Sequence, residues 1–447
     1  MPFFDILELV ELIPSFLTTN DLAQCVRVNK SWQAVFTPFL WRCIPGTSGN
    51  EIPFFCELVQ EDYLAQHQRQ PKNEEERKFS VLSKYGPWIH ELTLSSFDYI
   101  VSLSVSQANS QANISAFPES PTTDRLGPAI LRSCPELKKL KVRYMSDAGV
   151  GILAATLKSH LRKLRTIELD GYFYFARNTD SVMAEMLSAC HAGWKYIRIS
   201  VLGVHSVEAL IKHCPTLEAL EVGETPGWSS AHMHQILSSC PKIHTFVTMD
   251  DGEYRVTHKT HFLAKDFIDF DQASSSLAAW KSESSLKVFR AKVMGIPRPG
   301  VVPYDHYEPP PEKVLREAYP GQSQELQHRV YERLARFSHL EKLQLGHDTR
   351  DVGDDFLYIN GDVDYQYECL EMSLKSGLWI LEGLDQLRVL NVMRMETRIG
   401  VEEVKWMVKH WPKLQAIHGL NVDRDEREAG QWLKEECPWI EMIPFRA

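Results

Sequence analysis

A short motif, apolar-x-x-apolar-x-apolar, recurs through most of this 447-residue chain and limits its architecture more than any other feature. It stands at Ile89, Leu92 and Leu94, at Leu137, Leu140 and Val142, at Leu164, Ile167 and Leu169, at Trp194, Ile197 and Ile199, and at Leu217, Leu220 and Val222. Looser copies begin at Ile243 and Leu286, clean ones return at Leu340 and Leu387, and a last one opens with Leu414 and Ile417. Successive starts from Leu137 to Ile243 are 27, 30, 23 and 26 residues apart, and Leu387 to Leu414 is 27. Such intervals, roughly 20 to 29 residues, are those of a stacked repeat array of one strand and one helix per unit. Each copy predicts a short strand with its last two apolar side chains on one face.

Helical patterns fill the intervals, over 147–160, 180–190, 206–214, 229–240, 400–411 and 427–437. Most open at a Ser, Thr or Asp able to cap free amides. Cys134-Pro135, Cys214-Pro215, Cys240-Pro241, Trp411-Pro412 and Cys437-Pro438 close them. Proline there cannot extend a helix, and a small Cys fills the space between helix and strand, so these cysteines are expected to be buried and inert. One strand plus one helix cannot bury its apolar side alone, and stacked units make a continuous parallel sheet with helices outside. The expected fold is therefore α/β, a curved solenoid over residues 87–447. Long insertions interrupt it near 100–125, 248–285, 295–325 and 348–368, the third rich in proline and suited to a polyproline II segment.

The residue between the last two apolar positions of each copy points away from the core. In order these are Thr93, Lys141, Glu168, Arg198, Glu221, Val247, Arg290, Gln344, Asn391 and His418. Lys141, Glu168, Arg198 and Glu221 alternate in sign, and with Arg290 they are the candidate client-binding strip on the concave face. The same ladder can equally satisfy itself, each exposed pair contributing about 0 to 1 kcal/mol.

Residues 1–45 read differently. Ile6, Leu9, Val10 and Ile13 share one helical face, with Phe16 and Leu17 extending it, and Pro14 is expected to kink or stop that helix near Ile13. Thr18 and Asp21 stand at capping-box spacing before Leu22, Cys25 and Val26. Trp32, Val35 and Phe36 continue the apolar pattern until Pro38, where it is expected to break. Three helices this short leave an apolar face uncovered. Residues 46–86 are expected to form a helical linker.

Ile6-x-Glu8, Phe16-Leu17, Asp21-Leu22, Val28-x-Lys30-x-Trp32 and Leu40-Trp41-Arg42 together resemble an F-box, with Leu7 where that family commonly has Pro and Asn29 where it often has Cys. The Cys-Pro-x-Leu-x-x-Leu form is similar to the cysteine-containing leucine-rich repeats that follow F-boxes in many substrate receptors. The resemblance implies a three-helix module docking a Skp-type adaptor, and through it a cullin-RING ubiquitin ligase, while the repeats hold a protein substrate. Leu9, Ile13, Leu22, Trp32, Leu40 and Trp41 are the expected adaptor contacts, Trp32 equally suited to the module's own core. A scaffold that binds partners without a ligase is the alternative.

Net charge is −10, which argues against a protein that relies on phosphate contacts with nucleic acid. Nine cysteines without a Cys-x-x-Cys pair, and no secretory start, point to a reducing intracellular compartment, cytoplasmic or nuclear. No apolar run is long enough for a membrane span. His232-x-His234 and His258-x-x-His261 lack further ligands at metal spacing, and no nucleotide-binding, protease or hydrolase motif occurs. The reading is non-enzymatic, without a cofactor or metal.

Overall fold

A computed structural model describes residues 12–44, 84–96, 130–169, 179–200, 202–223, 227–249, 261–271, 276–296, 320–346, 368–393, 395, 397–421 and 427–445. It is α/β. Twelve strands form one parallel sheet, in chain order from Cys43–Ile44 to Glu441–Phe445. The chain divides into two compact units, 1–198 and 199–447.

The first unit opens with a 3-10 turn, Ile13–Phe16, carrying Pro14 in its first turn where a missing amide costs nothing. Helices α1 (Thr19–Val28) and α2 (Lys30–Leu40) follow. The capping box forms: Thr18 Oγ1 accepts from the Asp21 amide at 3.2 Å, and Asp21 Oδ2 accepts from the Thr18 amide at 2.9 Å. Asn29 separates the helices, its extended backbone ending α1 while its side chain caps α2 through the Trp32 amide at 2.9 Å. Pro38 does not break α2 as expected. It lies in the last turn, two residues before the helix ends on its own.

Strands β1 (Cys43–Ile44), β2 (Glu91–Ser96), β3 (Lys139–Tyr144), β4 (Thr166–Leu169) and β5 (Tyr196–Ile199) carry the repeat, with α3 (Asp147–Ser159) and α4 (Thr179–Ser188) between them. Register is set by the motif: Leu92 pairs with Leu140 and Leu140 with Ile167, while Leu94, Val142 and Leu169 make the next row. All six are buried, as are Val150, Leu153 and Leu157 of α3. Trp194 fills the first apolar position of its copy and gives its indole N–H to the Leu187 carbonyl at 2.9 Å, which makes so large a buried side chain affordable. Strand β1, absent from the motif census, pairs with β2 directly after the helices.

The second unit holds α5 (Val204–Ile211), β6 (Ala219–Gly223), α6 (Ser230–Ser239), β7 (Thr245–Met249), β8 (Phe262–Leu263), α7 (Ala264–Ile268), β9 (Phe270–Asp271), β10 (Ser276–Leu277), β11 (Val288–Arg290), β12 (Val293–Met294), α8 (Pro320–Ala335), β13 (Lys342–Gln344), β14 (Val389–Asn391), α9 (Val401–His410), β15 (Ala416–Asn421), α10 (Arg427–Glu436) and β16 (Glu441–Phe445). Leu220, Phe246, Phe289, Leu343, Leu390 and Ile417 form its central buried row.

Three expectations change here. The described parts of the 248–285 insertion are folded rather than looped: Phe262, Phe267 and Trp280 pack on Phe289 and Phe337 with ring centroids 4.9 to 6.4 Å apart. The third insertion ends in α8, which brings Arg333 into that aromatic cluster. Cys214 and Cys240, expected as inert thiols, form a disulfide with Cα atoms 4.3 Å apart, because stacking sets equivalent residues of successive copies side by side. Cys134, Cys190 and Cys437 are buried free thiols, and burial pushes Cys134 up to about 12 and Cys190 to about 11. The insertions at 100–125 and 348–367, the proline-rich 297–319 and most of the 46–86 linker lie outside the described residues.

Candidate functional site

Two surfaces could take a partner. On the helical module, Leu12, Phe16 and Val28 are 54, 78 and 59 % exposed. Covering each such side chain is worth about 1.5 to 3 kcal/mol, so the three together are an unusual concentration for a segment this small. Of the expected contacts, Ile13, Trp32 and Leu40 are half-buried. Leu22 is not on the surface: it is buried with Phe36, against which Trp32 also packs at 5.2 Å. An apolar residue on the inner side of α1 is needed to hold α1 on α2, so periodicity alone could not distinguish it from a docking residue. Trp41 stacks on Tyr85 at 4.3 Å, and Tyr85 packs on Trp88 at 5.6 Å. It thereby joins the module to the chain before β2. Leu9 lies outside the described residues. Phe16 lies on the apolar stripe and Val28 in the F-box-like run, though neither is among the expected contacts, and Leu12 carries no motif of its own.

The strand strip is real in register and uneven in exposure. Thr93 pairs with Lys141 and Lys141 with Glu168; separately, Glu221, Val247, Arg290, Gln344, Asn391 and His418 pair in sequence. Lys141 and Lys139 both reach Glu168, at 3.0 and 2.6 Å. Burial pushes the Glu168 carboxyl up, but the hydrogen bonds and charges of the two lysines outweigh it and hold the group below the ordinary carboxylate range. Arg198, Glu221 and Arg290 are half-buried. Glu168, Val247, Gln344 and Asn391, expected to face outward, are buried. The chain after β14 crosses this face: Asn391 Oδ1 accepts from the Met393 amide at 2.9 Å, and a Cβ on Gly346 or Gly419 would lie 2.3 Å from Met393 N. The open part of the strip is thus β2, β3 and β5 in the first unit and β6 and β11 in the second.

The histidine pairs have structural partners. His232 takes part in the Ser229 cap at the start of α6, His234 Nε2 lies 2.9 Å from Asp269, and His261 is buried. His258 lies outside the described residues. Among the described residues, no group of three or more His, Cys, Asp or Glu is placed to hold a metal ion, and no helix is long and apolar enough to cross a membrane.

No family model and no curated protein matches the chain. Its functional reading therefore rests on its own residues and geometry.

Proposed function

We propose that the chain is the substrate-recognition subunit of an SCF-type ubiquitin ligase, its helical module docking a Skp-type adaptor and its parallel sheet holding a protein client. The observation that carries this reading is the exposure of three apolar side chains, Leu12, Phe16 and Val28, on a module whose own core is already filled by Leu22 and Phe36. The F-box-like spacing of the same segment supports it. Docking through Phe16 and Val28, rather than Leu22 and Trp41, is the form of the proposal that fits the burial.

Removing residues 1–45 would delete β1, so point variants are the cleaner test. Full-length protein is expected to co-purify with adaptor and cullin in stoichiometric amounts, and Phe16→Asp with Val28→Asp to lose both while keeping its urea midpoint. Absence of the adaptor from the wild-type complex, or undiminished capture by the double variant, would refute it.

A further inference from the structure

Residues 130–169 carry nine Lys and Arg against three Asp and Glu, in a chain whose net charge is −10. Part of that excess falls on one structural position, the residue just before each strand. In the first unit these residues are Arg42, His90, Lys138, Arg165 and Lys195. A continuous backbone ladder joins them: the His90 amide donates to Arg42 O at 2.9 Å, Lys138 to His90 O at 2.7 Å, Arg165 to Lys138 O at 3.0 Å and Lys195 to Arg165 O at 2.8 Å. Every position in this row is cationic or can become so. Arg42, Lys138 and Arg165 are exposed, His90 and Lys195 half-buried.

The second unit shows what an ordinary row looks like. Its equivalent ladder, Glu218, His244, Lys287, Glu341, Arg388, Gln415 and Glu441, mixes signs, and Lys287 pairs with Glu341 at 3.3 Å. At Arg42, Lys138 and Arg165 no such neutralisation occurs: none of the three has an ion-pair partner among the described residues. Nearby carboxylates are already engaged, Glu136 by Lys163 and Glu168 by Lys139 and Lys141. Burial holds His90 below its ordinary value, and the charges of Lys138 and Arg42 lower it further. Like charges at a strand spacing of about 4.8 Å repel one another, so the row opposes folding and is relieved when an anion binds.

We infer that this row is a docking site for an acidic peptide segment lying across the strand entries of the first unit. Five positions span about 19 Å, the length of roughly six extended residues. Arg42 and Arg165 offer planar forks suited to carboxylates. Exposed Glu91, beside His90, and the acidic remainder of the chain disfavour a long polyphosphate, which would run beyond the row.

The test uses the full-length protein without adaptor, so its outcome is separate from that of adaptor docking. A labelled peptide of about eight residues, alternately Glu and Ser, is titrated by fluorescence anisotropy beside its Gln counterpart and a single-stranded oligothymidylate of similar length. The Glu peptide is expected to bind best, and to weaken as salt rises from about 50 to about 200 mM. Lys138→Glu with Arg165→Glu is expected to weaken it at least about tenfold, as is Arg42→Glu with Lys195→Glu, whereas Arg388→Glu in the second unit's row leaves it unchanged. Two double variants guard against misfolding of either. Equal binding of the Glu and Gln peptides, tighter binding of the oligonucleotide, or insensitivity to both double variants would overturn the inference.

Discussion

Arg333 offers the sharpest test of how the second unit is held together. Its side chain is completely buried, yet charged: Nε donates to the Phe267 carbonyl at 3.2 Å, Nη2 to the Ile268 carbonyl at 2.9 Å, and Nη1 pairs with Glu283, while the guanidinium lies 4.3 Å from the centre of the Trp280 ring. Burial lowers it to about 10 despite the opposing pull of Glu283, so it remains protonated at neutral pH. Arg333→Ala leaves two buried carbonyls unpaired among aromatic rings and the Glu283 carboxylate with only Arg336, at 3.6 Å, as a cationic partner. Breaking a buried pair in this way costs about 3 to 5 kcal/mol. In a unit of this size that is a fall of roughly 6 to 20 °C in midpoint. Urea unfolding and thermal melting at neutral pH, both followed by tryptophan fluorescence, measure it. Arg333→Met with Glu283→Gln refills the volume, removes both charges and keeps an acceptor for the Trp280 amide, now bonded to Glu283 at 3.1 Å. It should therefore be more stable than Arg333→Ala. An Arg333→Ala protein within about 1 kcal/mol of wild type, or a double variant no better than it, would refute the account.

Two further outcomes follow from the same structure. Glu168 has a folded-state pKa below its unfolded value, so its contribution to stability is present above the ordinary carboxylate range and is lost as pH falls through the lowered folded value. Glu168→Gln should flatten the acid limb of a stability-against-pH curve, and an unaltered limb would show that Lys139 and Lys141 do not hold it. Cys214 and Cys240 close a loop with a sequence separation of 26. Serine at either position, or reductant, should lower stability by about 2 to 4 kcal/mol, and the two treatments should not add; complete alkylation of both cysteines in unreduced, denatured protein would disprove the bond.

The repeat was legible because a strand needs only period two and a helix only its stripe. Leu92, Leu140 and Ile167 announce their pairing in their spacing, and the helices over 147–159, 230–239 and 401–410 lie within a residue of the expected bounds. What escaped were features decided by distant contacts. Strand β1 has two residues and no apolar triplet, so only its bonds to β2 define it. The insertion holding Phe262 and Trp280 looked polar because its apolar residues are few and unevenly spaced, and their partners, Phe337 and Arg333, arrive from α8. The proposed docking residues were the least legible. Leu22 and Phe16 are both apolar residues at helix-like spacing, and only the position of the neighbouring helix makes one core and the other surface.

The junction of helices and sheet joins the two proposed surfaces. Helix α2 ends at Leu40, and β1 begins at Cys43, leaving Trp41 and Arg42 between them. Trp41 is fixed by its stack on Tyr85, and the Arg42 carbonyl accepts from the amides of both His90 and Glu91. The connection is therefore bonded on both sides of the chain instead of being a loose tether. The basic row begins at Arg42, one residue past the Trp41 stack. On the ligase reading, an adaptor held by Phe16 and Val28 and an acidic client segment held from Arg42 to Lys195 would occupy fixed positions within one unit. If that reading holds, such fixed placement would favour transfer to a nearby lysine, because a client on a free linker samples many orientations and loses the advantage of being held near the reacting group.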